Sequence, residues 1–195
     1  MSNIVKFTSQ LPAKSDHFLK THTPFACMKA YSGVFTPLQA VKIDSASLVS
    51  LKKNYSEDWT QAYLEMWLVN LNEFLNVARP MNDNQVQETA YMILSRYSYL
   101  KISDITLIFS KIKAGDYGPL YEGIDGTKII SIFEKYGIER GRACEDDFFR
   151  ESELDKDKTE YPRTCDTAKA KTAMKRAAGF KEFMKDKRVD INSIK

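Results

Sequence analysis

Residues 59–78, WTQAYLEMWLVNLNEFLNVA, carry the strongest helical pattern in this chain. Apolar side chains recur in it at steps of three and four residues, which places them on one broad face of an α-helix. The residues of this face are Trp59, Tyr63, Met66, Trp67, Leu71, Phe74, Leu75 and Ala78. The pattern predicts a core helix that begins after Ser56 as N-cap and ends before Pro80.

Further helices are predicted on both sides of this one. Polar residues that can cap a helix N-terminus precede each apolar run. In chain order the expected caps are Asp44, Ser56, Asn82 with Gln85 as a capping box, Ser103, and Asp125 or Thr127. Gly115 is expected to end the helix that Ser103 begins, in a left-handed conformation. We therefore predict a mainly α fold, with a compact domain of about four or five helices.

The flanking segments differ from this domain in composition. Pro12, Pro24 and Pro37 interrupt the N-terminal segment, whose apolar pairs show neither a helical nor an alternating period, so we expect an irregular, extended arm. The C-terminal segment mixes strong helix formers with lysines. The predicted organisation is an N-terminal arm at 1–43, a helical domain at 44–150, a charged linker at 151–163 and a basic amphipathic C-terminal helix at 164–195.

Charge is distributed unevenly along the 195 residues. Residues 1–55 hold seven Lys/Arg and two Asp/Glu, residues 56–163 hold thirteen and twenty, and residues 164–195 hold nine and four. The two ends are therefore basic and the middle is acidic, with net charges of +5, −7 and +5. Two interpretations stay open: the basic ends meet phosphate on another molecule, or they fold back on the acidic centre of their own chain.

Composition indicates a soluble globular protein. Hydrophobic residues make up 43% of the chain and charged residues 28%. No apolar run approaches the roughly 20 residues that span a bilayer, and the first residues lack the apolar core of a secretory signal. The three cysteines, Cys27, Cys144 and Cys165, include no CxxC pair. We therefore expect reduced thiols, a cytoplasmic location and no membrane partner.

The segment KAGDYGPLYEGIDGTKII, residues 113–130, raises the question of a phosphate or metal loop. The spacing of Gly118 and Gly123 suits a phosphate loop, but Ile124 and Asp125 stand where that loop needs a lysine and a hydroxyl residue. A dinucleotide fingerprint needs a preceding strand, and a calcium loop needs acids at alternate positions. Neither requirement is met. We interpret the segment mainly as a joint between helices.

Catalytic and metal sites have little to build from in this sequence. His17, His22 and Cys27 are spaced five residues apart, whereas zinc ligands usually come in closer pairs such as CxxC. With two histidines in the chain, a Ser-His-Asp or Cys-His site is not expected. The acidic pair Asp146 and Asp147 lies in a hydrophilic segment and not in a buried cleft. We therefore expect no enzyme activity, no cofactor and no metal.

Two candidate binding surfaces remain after these exclusions. Tyrosines supply contact area at small entropic cost, so the joint is predicted to bind a protein partner through Tyr117, Leu120 and Tyr121. The C-terminal segment can lay basic side chains along phosphate while an aromatic ring stacks. Its predicted nucleic-acid-binding residues are Lys169, Lys171, Lys175, Arg176, Lys181, Lys185, Lys187 and Arg188. An equally open interpretation is a helix that inserts into a groove of a partner or of its own domain.

Residues 71–140 carry a further set of marks: a methionine after a short loop, a tyrosine and a leucine ahead of an aspartate-containing helix, a KxGxYGxLY-like turn, a DG dipeptide and a closing YxxxR. The matching residues are Met81, Tyr97, Leu100, Asp104, Lys113, Gly115, Tyr117, Gly118, Leu120, Tyr121, Asp125, Gly126, Tyr136 and Arg140. This run resembles a family of small uncharacterised proteins from phages, prophages and mobile elements of Bacteroidota. The resemblance implies a bacterial host cell and, by analogy, a DNA-replication accessory factor of the helicase-loader kind.

Together these observations predict a non-enzymatic adaptor of phage or mobile-element type. Its helical body and tyrosine joint would hold a protein partner, while its basic tail would supply attraction to nucleic acid. The alternative is a structural or packaged component of a phage particle, which binds neighbouring subunits through its extended termini and is located in the virion. DNA binding that weakens with salt separates the two functions.

Overall fold

The computed structural model describes residues 15–118, residues 123–158 and Lys175. This part of the chain folds into eight helices without a named strand, which confirms the predicted mainly α fold. The helices are α1 (Ser15–Thr21), α2 (Pro24–Ala30), α3 (Pro37–Lys42), α4 (Leu48–Asn54), α5 (Glu57–Leu75), α6 (Asp83–Arg96), α7 (Ile102–Ala114) and α8 (Gly126–Lys158). Within the described residues, none of them is long and apolar enough to cross a membrane.

Helix α5 supplies the centre of the core. Its N-cap is Ser56, as predicted, and the side chain of Ser56 accepts a hydrogen bond from the backbone N–H of Trp59 at 3.1 Å. The helix ends earlier than predicted, because Asn76 adopts a left-handed conformation with φ of 44°. Its buried residues include Tyr63, Leu64, Trp67, Leu68 and Leu71. Phe74, predicted to be in the core, is 58% exposed in the last turn of α5.

Besides Ser56, the predicted helix starts agree with the structure at two places and differ at two. The capping box of Asn82 and Gln85 begins α6, and the Asp125 carboxylate accepts from the Lys128 N–H at the start of α8. Helix α4, however, begins after Ser47 and not after Asp44. The predicted Ser103 cap is also wrong, since α7 already begins at Ile102. Gly115 ends α7 with φ of 85°, as predicted.

Between residues 15 and 42 the chain forms three short helices where the sequence predicts an irregular arm, and residues 1–14 of that arm lie outside the described residues. Thr23 and Thr36 are N-caps, and the prolines that follow them occupy the first helical position, where a missing N–H costs nothing. Each of these helices is too short to show a period in the sequence. Phe18, Cys27 and Ala40 are fully buried, so α1, α2 and α3 contribute to the core.

A backbone junction fastens the start of α4 to the start of α7. The Leu48 N–H donates to the Leu100 carbonyl at 2.9 Å, and the Ile102 N–H donates to the Ala46 carbonyl at 2.9 Å. Lys101 adds a side-chain contact, because its Nζ donates to two carbonyl oxygens at the C-terminal end of α3, at 2.7 and 2.9 Å. Residues far apart in the sequence are thus joined by main-chain hydrogen bonds.

The chain divides into two units, Met1–Asp147 and Phe148–Lys195. Residues 151–158, assigned from sequence to the start of the linker, continue α8. Glu and Lys are good helix formers even where apolar residues are few, which explains why hydrophilic composition did not mark the end of the helix. Residues 159–163 and, apart from Lys175, the predicted C-terminal helix at 164–195 lie outside the described residues.

Candidate functional site

The glycine-rich segment joins two helices, α7 and α8. Gly115 and Gly118 both have positive φ, at 85° and 94°. Residues with a side chain rarely adopt this backbone conformation, so glycine suits the turn. At the far end the Ile124 N–H donates to the Arg79 carbonyl at 3.1 Å. Because a helix precedes the segment, the strand-first context of a dinucleotide fold is absent from the described residues at this point. These features agree with the interpretation of the segment as a joint between two helices.

A pocket of about 290 Å³ opens where this joint meets the start of α6. Arg79 and Lys128 are its basic residues and Asp125 is its acid. The Lys128 ammonium already donates to the Gly123 carbonyl at 2.9 Å. The basic residues are exposed and partly compensated by the carboxylate, so the pocket has the character of open surface.

Of the predicted tyrosine surface, the structure describes Tyr117. Its ring is half-buried against the core, and its hydroxyl is buried without a hydrogen-bond partner among the described residues. Burial, followed by the nearby carboxylates of Glu139 and Asp116, raises the pKa of Tyr117 above its usual value. Only part of this ring is therefore available to a partner. Leu120 and Tyr121 lie outside the described residues.

A surface that the sequence did not predict forms around Lys113, on the last turn of α7. The Lys113 ammonium donates to Asn70 Oδ1 at 2.6 Å and lies 3.6 Å from Met28 Sδ. It also lies 4.9 Å from the centre of the Phe74 ring. Burial lowers the pKa of Lys113 below its usual value. Helices α2, α5 and α7 thus surround one half-buried ammonium with neutral groups.

Two exposed aromatic rings lie on α2 and α5, the helices whose side chains contact this ammonium. Phe74 is 58% exposed, and Phe25, which precedes Met28 by one helical turn on α2, is 78% exposed. We call the residues Phe25, Met28, Asn70, Phe74 and Lys113 the Lys113 surface. The sequence pattern placed Phe74 in the core because the apolar face of residues 59–78 continues into the last turn of α5. In that turn the Phe74 side chain is exposed. An asparagine at the helix end is a C-terminal signal that could have indicated this.

Asp104 forms a buried polar network that links α7 to α8. Its Oδ1 accepts from the Tyr136 hydroxyl at 2.6 Å and from Arg140 Nε at 3.3 Å, and its Oδ2 accepts from the Lys101 N–H at 2.9 Å. Burial and the Asp104 carboxylate raise the pKa of Tyr136, so this phenol stays protonated as a donor. The Arg140 guanidinium also lies 5.3 Å from the centre of the Tyr99 ring. Each carboxylate oxygen has a partner, which indicates a structural role.

Other residues that carry the family resemblance also have packing roles. The backbone of Met81 is held by Asn72, which donates to its carbonyl at 2.9 Å and accepts from its N–H at 3.3 Å. A Cβ on Gly126 would overlap Thr89 Oγ1, so glycine allows α8 to begin close to α6. The DG dipeptide thus combines a cap with a close approach of two helices.

The residues considered for a metal or a catalytic site have other roles. His22 stacks on Phe18 with ring centroids 4.0 Å apart, and burial lowers its pKa to about 4. Burial raises the pKa of the Cys27 thiol to about 12, and its sulfur lies 3.8 Å from the Tyr63 hydroxyl. Asp147 pairs with Lys42 at 2.7 Å. Across the described ranges, no group of three or more His, Cys, Asp and Glu could hold a metal ion.

Of the predicted nucleic-acid-binding residues, the structure describes Lys175. Lys175 is exposed, and the other seven lie outside the described residues: Lys169, Lys171, Arg176, Lys181, Lys185, Lys187 and Arg188. The tail hypothesis therefore stays a prediction from sequence.

A family model matches part of this chain. Residues 80–192 match the model of DUF6633, which is described as a family of unknown function. The matched range includes α6, α7 and the Asp104 network but not α2 or α5, so it contains Lys113 and not the exposed rings of Phe25 and Phe74. No curated protein and no solved structure matches the chain.

Proposed function

This chain belongs to the DUF6633 family, a family of unknown function, and we propose that it acts as a non-enzymatic adaptor that binds another protein through the Lys113 surface. The supporting observation is the exposed Phe74 ring beside a half-buried ammonium, together with the exposed Phe25 ring one helical turn from Met28, whose sulfur the ammonium contacts. Burying a phenylalanine side chain is worth about 1.5–3 kcal/mol. An exposed ion pair is worth about 0–1 kcal/mol, so the rings and not the surface charges would supply the binding energy.

The biological setting of this adaptor is a further part of the proposal. The resemblance of residues 71–140 to proteins of Bacteroidota phages, prophages and mobile elements favours a mobile-element adaptor in a bacterial host cell. By analogy, its task would be to bring a replication protein to DNA in the manner of a helicase loader. Purified phage particles that contain stoichiometric amounts of this protein would contradict the adaptor and support the particle-component alternative.

The docking proposal is tested by changing the two rings together. Phe25→Ser and Phe74→Ser remove the two exposed rings of the Lys113 surface and leave buried side chains in place. Tyr91→Ser is the matched control, because Tyr91 is 56% exposed and lies on α6. Each form is expressed with a tag in bacterial cells that carry the mobile element. It is then cross-linked, purified and analysed by quantitative mass spectrometry.

We expect one or a few proteins to be retained by the native chain and by the Tyr91→Ser variant but lost from the double variant. Retention of the same proteins by all three forms would contradict docking at this surface. Circular dichroism and urea unfolding of the double variant check that the fold is intact.

The nucleic-acid part of the proposal is tested separately. Deleting residues 164–195 removes nine Lys/Arg and four Asp/Glu. If the tail contacts phosphate, the full chain binds single- or double-stranded DNA with an affinity that falls steeply as salt rises, and the deletion abolishes this binding. Equal affinity of the two forms would refute the tail hypothesis and leave protein docking unaffected.

A further inference from the structure

We infer that the partner segment that occupies the Lys113 surface is apolar and carries an Asp or Glu side chain that pairs with Lys113. This inference rests on the proposed docking function, and it adds the chemistry by which the partner is recognised. The ligand class is an acidic, amphipathic peptide segment within a protein.

The surroundings of the Lys113 ammonium carry the argument. Its described contacts are an amide oxygen at 2.6 Å, a thioether sulfur at 3.6 Å and an aromatic ring centre at 4.9 Å. All three are neutral, and the sulfur is a weak acceptor. The ammonium has thus lost part of its hydration without gaining a negative charge, and a carboxylate would compensate this loss.

The described lysines differ in their partners: Lys101 and Lys128 donate to backbone carbonyl oxygens, whereas three others pair with a carboxylate. Lys42, Lys52 and Lys111 each lie close to a carboxylate, at 2.7, 2.7 and 3.1 Å. Among the described residues, Lys113 has no carboxylate within ion-pair distance. Its place in the last turn of α7 is favourable to the helix dipole, by about 0.3–1 kcal/mol. That effect explains a cation at the helix end, but it does not explain why Phe74 stays exposed beside it.

Charge distinguishes the occupants that could cover this surface. The C-terminal segment of the same chain carries nine Lys/Arg and four Asp/Glu, so it shares the sign of Lys113. A second copy packed with two-fold symmetry would place the same surface, with the same ammonium, on both sides of the contact. A segment that combines apolar side chains with a carboxylate satisfies both the rings and the ammonium.

The probe is a displayed library of random peptides, selected on the full-length protein at low salt. Peptides that also bind the Phe25→Ser/Phe74→Ser variant are removed by counter-selection. We expect the remaining peptides to carry Asp or Glu within one helical turn of an aromatic residue or leucine. Synthetic versions are then measured by calorimetry against the native chain, Lys113→Met and Lys113→Arg.

Lys113→Met keeps the apolar stem and removes the charge, so we expect about a 10-fold loss of affinity, which corresponds to about 1.4 kcal/mol. Lys113→Arg keeps the charge and should lose less. Replacing the peptide carboxylate by its amide should cost about as much as Lys113→Met, and the two changes together should cost little more than either alone. This non-additivity is a readout that a merely structural lysine would not give.

Three outcomes would overturn the inference. Peptides that need the two rings but lack an acid, or that bind Lys113→Met unchanged, refute the carboxylate and leave the docking function standing. Failure to find peptides that distinguish the native chain from the double ring variant refutes both. Self-association in sedimentation experiments that the ring variant abolishes, or peptide binding that appears only after deletion of residues 164–195, identifies a different occupant and refutes the acidic partner.

Discussion

Asp104 is a buried carboxylate on α7 that accepts hydrogen bonds from two side chains of α8. A charge taken out of water is costly unless its oxygens are occupied, and here the phenol of Tyr136, the guanidinium of Arg140 and the N–H of Lys101 occupy them. Tyr136 and Arg140, the YxxxR residues of the family resemblance, therefore connect α8 to α7 through Asp104. A carboxylate beside a tyrosine and an arginine can suggest catalysis in a sequence, but this one is enclosed by its own partners.

We predict that Asp104→Asn lowers the free energy of unfolding by about 2–4 kcal/mol, because Arg140 keeps its charge and loses its partner. Tyr136→Phe should cost about 1.5–3 kcal/mol, since it removes one hydrogen bond to a charged carboxylate. Urea denaturation measures both. Lys52→Met, which breaks the exposed pair of Lys52 with Glu57, is the control and should change stability by less than about 1 kcal/mol. An Asp104→Asn variant as stable as the control would contradict the structural role.

His22 predicts a specific dependence of stability on pH. Burial lowers its pKa from 6.5 to about 4, so the unfolded chain binds a proton that the folded chain does not between these two values. Its contribution to stability is complete above about pH 6.5 and is lost as pH falls toward 4. His22→Phe keeps a ring against Phe18 and removes the titration.

Urea midpoints should therefore show the native chain gaining stability relative to His22→Phe as pH rises from 4 to 6.5. Exposed His17 is the control position, and His17→Gln should retain most of this pH dependence. A constant difference between the native chain and His22→Phe across this range would show that His22 titrates normally in the folded state.

At the level of the helix, the approach of α8 to α6 depends on Gly126. A Cβ at this position would meet Thr89 Oγ1, and Thr89 is almost completely buried. We predict that Gly126→Ala costs about 1–3 kcal/mol through overpacking and that Thr89→Ala in the same chain recovers part of the loss. Gly141→Ala is the matched control within α8, because a Cβ there meets nothing within 4 Å.

This control should raise stability by about 0.5–1 kcal/mol, since alanine is the better helix former. Thermal unfolding of the single and double variants gives the comparison. Equal effects of Gly126→Ala and Gly141→Ala would show that the two helices do not pack as closely as described.

The sequence predicts a helix correctly when the helix is long enough to show periodicity and begins at a cap that local residues form. Helices α5 and α6 are long enough for periodicity, and the capping box of Asn82 and Gln85 is a local signal. Ser103 looks like a cap by residue type, but its hydroxyl donates to the Ala40 carbonyl at 2.8 Å, a contact set by tertiary structure. The short N-terminal helices give no periodicity, and their prolines serve as helix starts where the composition suggested breaks.

For the molecule as a whole, the N-terminal helices complete an aromatic core. The Phe18 ring lies 5.7 Å from that of Tyr55, 5.4 Å from that of Trp59 and 5.4 Å from that of Tyr63. The rings of this cluster belong to residues about 40 positions apart in the chain, so no local sequence pattern predicts the cluster. The Lys113 surface has the same origin, because it combines one helix from this segment with two from the predicted domain.

We predict that Phe18→Ala costs about 3–5 kcal/mol, as expected for a fully buried ring. Phe35→Ala is the control, because Phe35 is 71% exposed and its loss should change stability by less than about 0.5 kcal/mol. A chain that begins at residue 44 should lose cooperative unfolding and should aggregate, as judged by calorimetry and sedimentation. A cooperative, monomeric truncated chain would instead support a dispensable arm.

The hydrogen-bonded junction between Leu48 and Leu100 has a consequence for biosynthesis. A ribosome delivers the chain from the N-terminus, and α4 can make these contacts only when residues 100–102 have emerged. Until α7 has emerged, α2 and α3 lack the helix against which they pack, and nascent chains in this state are targets for chaperones and proteases. Translation speed through the second hundred residues should therefore influence how much of this protein reaches its native form.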